Sequence, residues 1–377
     1  MSRIAYTGAR IFDGELWWER SALVVNGDRI EGIIAADSPT DAQRVALGGG
    51  ILAPGFIDLQ VNGGGGVQFN LTPDVPTIET ICKTYARFGT TACLPTLITD
   101  TREKVRTAIA SARSVAGRDG VLGLHLEGPF ISPKRPGIHR PDRIAQPGAG
   151  DLEELCELGG AGRSLVTLAP ECVPAGFVRT LASSGARISI GHSEASAAVV
   201  TQAVADGATG VTHLFNAMPP LSAREPGIVG AALAERRLTA GLIVDGIHVD
   251  PVSVRTAFMA KGADRIALVT DAMPTVGTSL DRFELMGRTI RLAAGRLTSE
   301  EGTLAGAHLD MASAVRNAVR LAQLPLEDAL RAASLTPARF LGLDNERGAL
   351  VSGARADLVA LDQELRVIAT WVDGSGD

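Results

Sequence analysis

The sequence predicts an α/β chain: a (β/α)8 TIM-like barrel carrying a small β-sandwich domain built from both chain termini. Three observations support this. Short apolar strand-like runs alternate with helical periodicity across the middle of the chain. Both ends alternate in the strand manner, and neither could bury a sheet alone. Polar residues that look out of place in apolar strands fall repeatedly at the carboxyl ends of those strands, the catalytic face of such a barrel. The 377 residues suffice for one large domain with an accessory, since a barrel of about 250 residues is a single domain.

In chain order, the first fifty residues contain the run 22–30, where an Asn26-Gly27 turn separates two apolar stretches and reads as a β-hairpin. The last thirty contain strands at 356–361 and 366–372. Pairing the two ends gives a small β-domain of residues 1–53 together with 349–377, leaving 54–348 for the barrel. Its eight candidate strands are 56–61, 90–96, 121–127, 165–169, 187–191, 210–213, 240–245 and 266–271. Helical patterns such as 102–116, 195–206 and 251–261 fill the gaps, and right-handed crossovers close the units into a barrel.

Composition narrows the function classes. A hydrophobic fraction of 45% with 21% charged residues is that of a globular chain. The formal net charge of −6 is spread without a basic block, so neither a nucleic-acid footprint nor a membrane patch is visible. No apolar run is long enough to span a bilayer, and Arg3 and Arg10 fall where a signal peptide needs its apolar stretch, so a cytoplasmic protein is expected. Cys82, Cys93, Cys156 and Cys172 form no C-x-x-C pair and read as buried reduced thiols.

The chemistry-bearing residues sit at predicted strand ends. Glu127, His192 and His213 supply one carboxylate and two imidazoles, the ligand set of a catalytic zinc site that leaves a position open for water. Each alone would read as a satisfied core residue; three at one barrel mouth favour a metal. Asp271, in Val269-Thr-Asp-Ala272, has no adjacent Lys or Arg and suits a general base. His125 keeps a structural reading, and His308 stays open. Asn62-Gly-Gly-Gly-Gly66 lacks the Gly-Lys-Ser/Thr of a phosphate loop. Gly191-His-Ser-Glu-Ala195 is a poor nucleophile elbow, having Ala at its fifth position. Arg224 is either a solvated surface arginine or a phosphate clamp.

Taken together, Pro54-Gly-Phe-Ile-Asp-Leu-Gln-Val-Asn-Gly63, Leu124-His-Leu-Glu-Gly-Pro-Phe130, Ile190-Gly-His-Ser193, Thr212-His-Leu-Phe-Asn-Ala-Met218, Arg224-Glu-Pro-Gly227, Asp245-Gly-Ile-His-Val249 and Val269-Thr-Asp-Ala272 resemble the N-acetylglucosamine-6-phosphate deacetylases of the amidohydrolase superfamily. The resemblance covers nearly the whole chain. It implies that Glu127, His192 and His213 bind metal and that Asp271 shuttles protons. Substrate contacts would fall on Ile138 and His139, on Asn216 and Ala217, on Arg224, on Asp245, Gly246, Ile247 and His248, and on Leu304, Ala305 and Gly306. It also implies a homodimer in which Arg224 serves the neighbouring subunit's phosphate site.

Many amidohydrolases hold two metals through a His-x-His at the first strand and a carboxylated lysine at the fourth. Here the first strand ends Gln60-Val-Asn62, and lysine is confined to Lys83, Lys104, Lys134 and Lys261. One divalent ion per chain, Zn2+, is therefore expected. The implied reaction releases acetate from an N-acetyl amino-sugar 6-phosphate, with Asp271 as base and then acid and His139 polarising the acetyl carbonyl. The rivals are the same chemistry on N-acetylgalactosamine 6-phosphate, and a metal-free scaffold of amidohydrolase shape.

Overall fold

The computed structural model describes residues 3–376; Met1, Ser2 and Asp377, which the sequence assigns to the small β-domain, lie outside the described residues. Eight parallel strands pair in chain order: Phe56–Val61, Thr90–Ile98, Gly123–Glu127, Arg163–Leu168, Arg187–Ile190, Ala208–Val211, Thr239–Leu242 and Ile266–Leu268. A parallel bridge between Val61 and Ala272 joins the last to the first. There the Asp271 N–H donates to the Gln60 carbonyl at 3.0 Å, and the Asn62 N–H to the Ala272 carbonyl at 2.9 Å. The Thr90–Ile98 strand is buried along its whole length, as expected of a parallel strand covered on both faces.

The sixth, seventh and eighth strands end earlier than the sequence pattern suggests. His213 has φ +31 and Asp271 φ +51, and His192, just past the fifth strand, has φ +48. These left-handed conformations are uncommon outside glycine and cannot continue a ladder. Of the residues read as strand ends, His192, His213 and Asp271 thus lie in the loops that line the mouth, while Glu127 stays in its strand.

Helices cover the barrel, and several are begun by a side-chain cap. Asp74 accepts from the Thr77 N–H at the start of Val75–Ala86, with Pro76 in the first turn. Asp250 caps Pro251–Lys261 in the same way, and Gly262, at φ +76, ends it.

Between the eighth strand and the helix Met311–Arg320 lies a three-stranded antiparallel sheet, Arg282–Leu285, Arg288–Ala293 and Arg296–Thr298, which the sequence reading did not anticipate. Its two turns, Met286-Gly287 and Ala294-Gly295, have positive φ at both positions, as tight hairpins need. Its buried face, Leu285, Ile290 and Leu297, packs with Ile98, Ile138 and Met273. The insertion therefore roofs one side of the barrel mouth.

The termini form the sandwich. Ile51–Pro54, Arg10–Phe12 and Trp17–Trp18 share a six-stranded sheet with Leu358–Leu361, Val367–Val372 and Ser375–Gly376. A four-stranded sheet of Arg3–Thr7, Ser21–Asn26, Arg29–Ala35 and Gln43–Ala46 adds Tyr6, Leu23, Val25 and Ile30 to a core shared with Ile11, Leu52 and Leu358. Asn26 pairs with Arg29, so the hairpin loop is Gly27-Asp28, one residue later than the expected Asn26-Gly27 turn. Gly27, at φ +60, supplies the positive dihedral its first central position requires.

Candidate active site

The expected ligands meet. Glu127, the last residue of the third strand, presents Oε1 to His192 Nε2 at 3.1 Å and to His213 Nε2 at 2.9 Å, and the two imidazole nitrogens are 3.1 Å apart. All three side chains are buried. His192 Nδ1 lies 2.8 Å from the Arg135 carbonyl, which can only accept, so Nδ1 carries a proton. In a neutral ring Nε2 then turns a lone pair toward a carboxylate oxygen. Two acceptors at that distance need a proton or a metal ion between them. Four ligands at about 2.0–2.2 Å in a tetrahedron stand roughly 3.3 Å apart, close to the spacing found here, so these side chains fit a divalent ion. Burial pushes the Glu127 carboxyl up, but the two imidazoles outweigh it and hold it well below the usual carboxylate range.

Gln60 and Asn62 act as hydrogen-bond donors. Gln60 Nε2 is 3.1 Å from both Glu127 Oε2 and Asp271 Oδ1, and Asn62 Nδ2 is 2.6 Å from the same Asp271 oxygen. Burial and the neighbouring Glu127 push the Asp271 carboxyl up to about 6, opposed in part by His213, His248 and the bond from Asn62. A carboxyl poised there exchanges protons readily near neutral pH.

His139, in the loop after the third strand, lies beside His192 with ring centroids 4.4 Å apart. Glu127, His139 and His192 each offer a ligating atom, all within 4.8 Å of one another, so His139 stands close enough to be an alternative ligand. Its Nδ1 is 2.7 Å from Thr99 Oγ1, and burial, reinforced by the adjacent His192, pushes the ring down to about 3 and keeps it neutral.

These groups border a cavity of about 240 Å³. Of the anticipated substrate contacts it takes in Ile138, His139, Asn216, Ala217, His248, Leu304 and Gly306, and it adds Ile98, Ile243, Met273 and Thr303, which sequence reasoning missed. Asp245, Gly246, Ile247 and Ala305 do not line it. Asp245 instead holds His248: its Oδ1 accepts the Ile247 and His248 N–H groups at 2.8 Å each, and its Oδ2 meets His248 Nδ1 at 2.7 Å. Arg224 is exposed, outside the cavity, and among the described residues it makes no ion pair. His125 is held from both sides by Thr96 and Thr167 hydroxyls, at 3.1 and 2.8 Å, and burial pushes it down to about 4; this is a structural role beneath the site. His308 bonds Thr275 away from the cavity. A larger cleft of about 760 Å³, bounded by Lys83, Arg87, Thr90 and Asp373, opens at the amino ends of the strands and gathers no comparable cluster.

The sequence model of the amidohydrolase family matches residues 51–375. The chain is 40% identical to an N-acetylgalactosamine-6-phosphate deacetylase from Shewanella sp. strain ANA-3, over 97% of this chain and 94% of that protein. It is 37% identical to an N-acetylglucosamine-6-phosphate deacetylase from Haemophilus influenzae, over 94% and 93%. Among solved structures it is similar to N-acetylglucosamine-6-phosphate deacetylase from Pasteurella multocida, with a TM-score of 0.96 and 36% identity over 100% of this chain and 99% of that one.

Proposed function

The chain belongs to the amidohydrolase family, and from that premise we propose that it hydrolyses the N-acetyl group of N-acetyl-D-glucosamine 6-phosphate, giving D-glucosamine 6-phosphate and acetate in amino-sugar catabolism. The observation that carries the reading is the meeting of His192 and His213 on one Glu127 oxygen, with Asp271 tied beside them through Gln60. Glu127, His192 and His213 would hold one divalent ion, for which this nitrogen and oxygen set suits zinc. Such an ion, when bound, lowers the pKa of water from about 15.7 to about 7.

The remaining roles belong to the chain. Asp271 takes the proton of the attacking water and later delivers it to the departing nitrogen, so the amide and one water become acetic acid and the amine, which at neutral pH part as acetate and ammonium with no proton left over. His139 donates to the acetyl oxygen as negative charge develops there. Ile138, Asn216, Ala217, Leu304 and Gly306 border the sugar. His248, fixed by Asp245, faces the phosphate end, and Arg224 completes that end from the neighbouring subunit of a homodimer. Residues 1–53 with 349–377 form the small domain and 54–348 the catalytic barrel, in a cytoplasmic enzyme; among the described residues no helix is long and apolar enough to cross a membrane.

A second substrate is favoured by a specific observation: the Shewanella relative, at 40% identity, is an N-acetylgalactosamine-6-phosphate deacetylase. Amine release from both epimers and from their unphosphorylated forms, measured on metal-loaded protein, tests the reading. Higher kcat/KM on the gluco phosphate is expected. A galacto preference would select the second substrate, and no release from either phosphate would overturn deacetylation.

A further inference from the structure

Thr99 lies just past the second barrel strand, and its side chain has one short contact, to His139. Oγ1 and His139 Nδ1 are 2.7 Å apart, with both residues buried. A neutral imidazole carries its proton on one nitrogen, and the partner of one nitrogen decides what the other presents. Two arrangements are open to this pair. If Thr99 donates to Nδ1, the ring proton sits on Nε2 and faces the cavity as a donor. If Nδ1–H donates to Thr99, Nε2 carries a lone pair, and His139 becomes a ligand or a base.

The second arrangement needs another acceptor for the Thr99 hydroxyl proton. The acceptor available is the Glu127 carbonyl at 3.4 Å, well beyond the usual 2.5–3.0 Å for O–H···O. The Nδ1 lone pair is far closer. We infer that Thr99 is a positioning residue that donates to His139 Nδ1 and thereby fixes His139 as an Nε2–H donor to the substrate's acetyl oxygen, keeping it out of the metal's ligand set. The inference rests on the deacetylase reading for the identity of that oxygen. It resolves the double appearance of His139, near enough to Glu127 and His192 to ligate yet with its lone pair already used.

Two measurements test it. In wild-type protein labelled with ¹⁵N-histidine, ring-proton correlations should show His139 with a bare Nδ1 and a protonated Nε2, the resonances being assigned with His139→Gln. A protonated Nδ1 with bare Nε2 would overturn the inference. In kinetics, Thr99→Val keeps the shape and removes the donor; kcat should fall about 10- to 100-fold with KM and bound metal per chain little changed. Thr99→Ser, which restores the hydroxyl, should recover most of the loss. Wild-type kcat in Thr99→Val, or loss of metal alongside kcat, would overturn the positioning role. If Thr99→Val fails to fold, the wild-type spectrum decides alone. Wild-type protein that releases no amine would instead retire the deacetylase reading, and the ring spectrum would still report the tautomer.

Discussion

Gln60 and Asp271 hold each other twice: the Asp271 N–H donates to the Gln60 carbonyl at 3.0 Å, and Gln60 Nε2 returns to Asp271 Oδ1 at 3.1 Å. The first bond belongs to the seam that closes the barrel. The second aims the proposed base. Because Gln60 Nε2 also reaches Glu127 Oε2, one carboxamide sets the spacing between the proposed ligand carboxylate and the proposed base. Barrel closure and the geometry of the site are therefore the same structural event.

Gln60→Leu should show this coupling. It removes the shared donor from two buried carboxylates at once, and leaving such groups unsatisfied costs about 1 to 3 kcal/mol. Thermal unfolding should move down by several degrees and kcat should fall at least tenfold, with one metal ion still bound. Unchanged kcat would mean that Asn62 alone positions Asp271.

The barrel was legible because parallel strands covered on both faces read as apolar runs, and a polar residue ending such a run is conspicuous. What the pattern misplaced were the ends: His213 and Asp271 read as strand residues yet adopt left-handed backbone, which hydropathy does not encode. The insertion of 282–298 carried a signal, Met286-Gly287 and Ala294-Gly295 between short alternating stretches, but it interrupts the strand-helix alternation that made the rest of the barrel legible. Thr99 had none, since a β-branched residue beside a buried strand is what any strand contains. Asp245 is conspicuous as a polar residue near the mouth, but only the folded loop reveals that both its oxygens are spent on its own loop's backbone and on His248.

Ligands and base should separate by mutation. Elemental analysis of reconstituted protein should find one divalent ion per chain, because the Gln60 and Asn62 amides are occupied as donors to carboxylates. His192→Ala should lose that ion. Asp271→Asn should keep it while turnover falls below a tenth of wild type, since the attacking water loses its proton acceptor. Two ions per chain, both required for activity, would contradict the single-ion site.

Asp58 predicts a pH dependence of stability. It is buried in the first strand, and burial pushes its carboxyl up to about 7 from an ordinary 3.8, despite the Thr270 hydroxyl and the Gln60 and Thr270 N–H groups that bond it. A carboxyl raised on folding stabilises the fold fully below its unfolded value, and that contribution is lost as pH rises through the folded one. The loss between pH 4 and pH 8 is on the order of 4 kcal/mol. Asp58→Asn can keep the oxygen that accepts both N–H groups and has no proton to lose. In denaturant titrations its stability relative to wild type should climb across that interval. Parallel curves for the two proteins would show that Asp58 stays ionised throughout.

Arg224 is the assignment that one chain leaves open, since its guanidinium is exposed and stands outside the cavity it is proposed to serve. A charge-assisted bond to phosphate contributes about 1.5 to 3 kcal/mol, so Arg224→Ala should lower kcat/KM on the phosphorylated sugar roughly ten- to a hundredfold and leave the unphosphorylated sugar nearly unaffected. Complementation then asks which subunit supplies the arginine. Mixing Arg224→Ala chains with Asp271→Asn chains, each nearly inactive alone, produces some dimers in which an intact Asp271 faces the partner's intact arginine. If the arginine crosses the interface, random reassociation should restore about a quarter of wild-type activity, because half the dimers are mixed and each holds one complete site. Within a single chain no mixture yields a complete site, so activity that stays at the level of the separate variants would place Arg224 in its own subunit's pocket. Equal losses on both sugars in Arg224→Ala would remove it from phosphate recognition and leave His248, braced by Asp245, as the group that meets the phosphate.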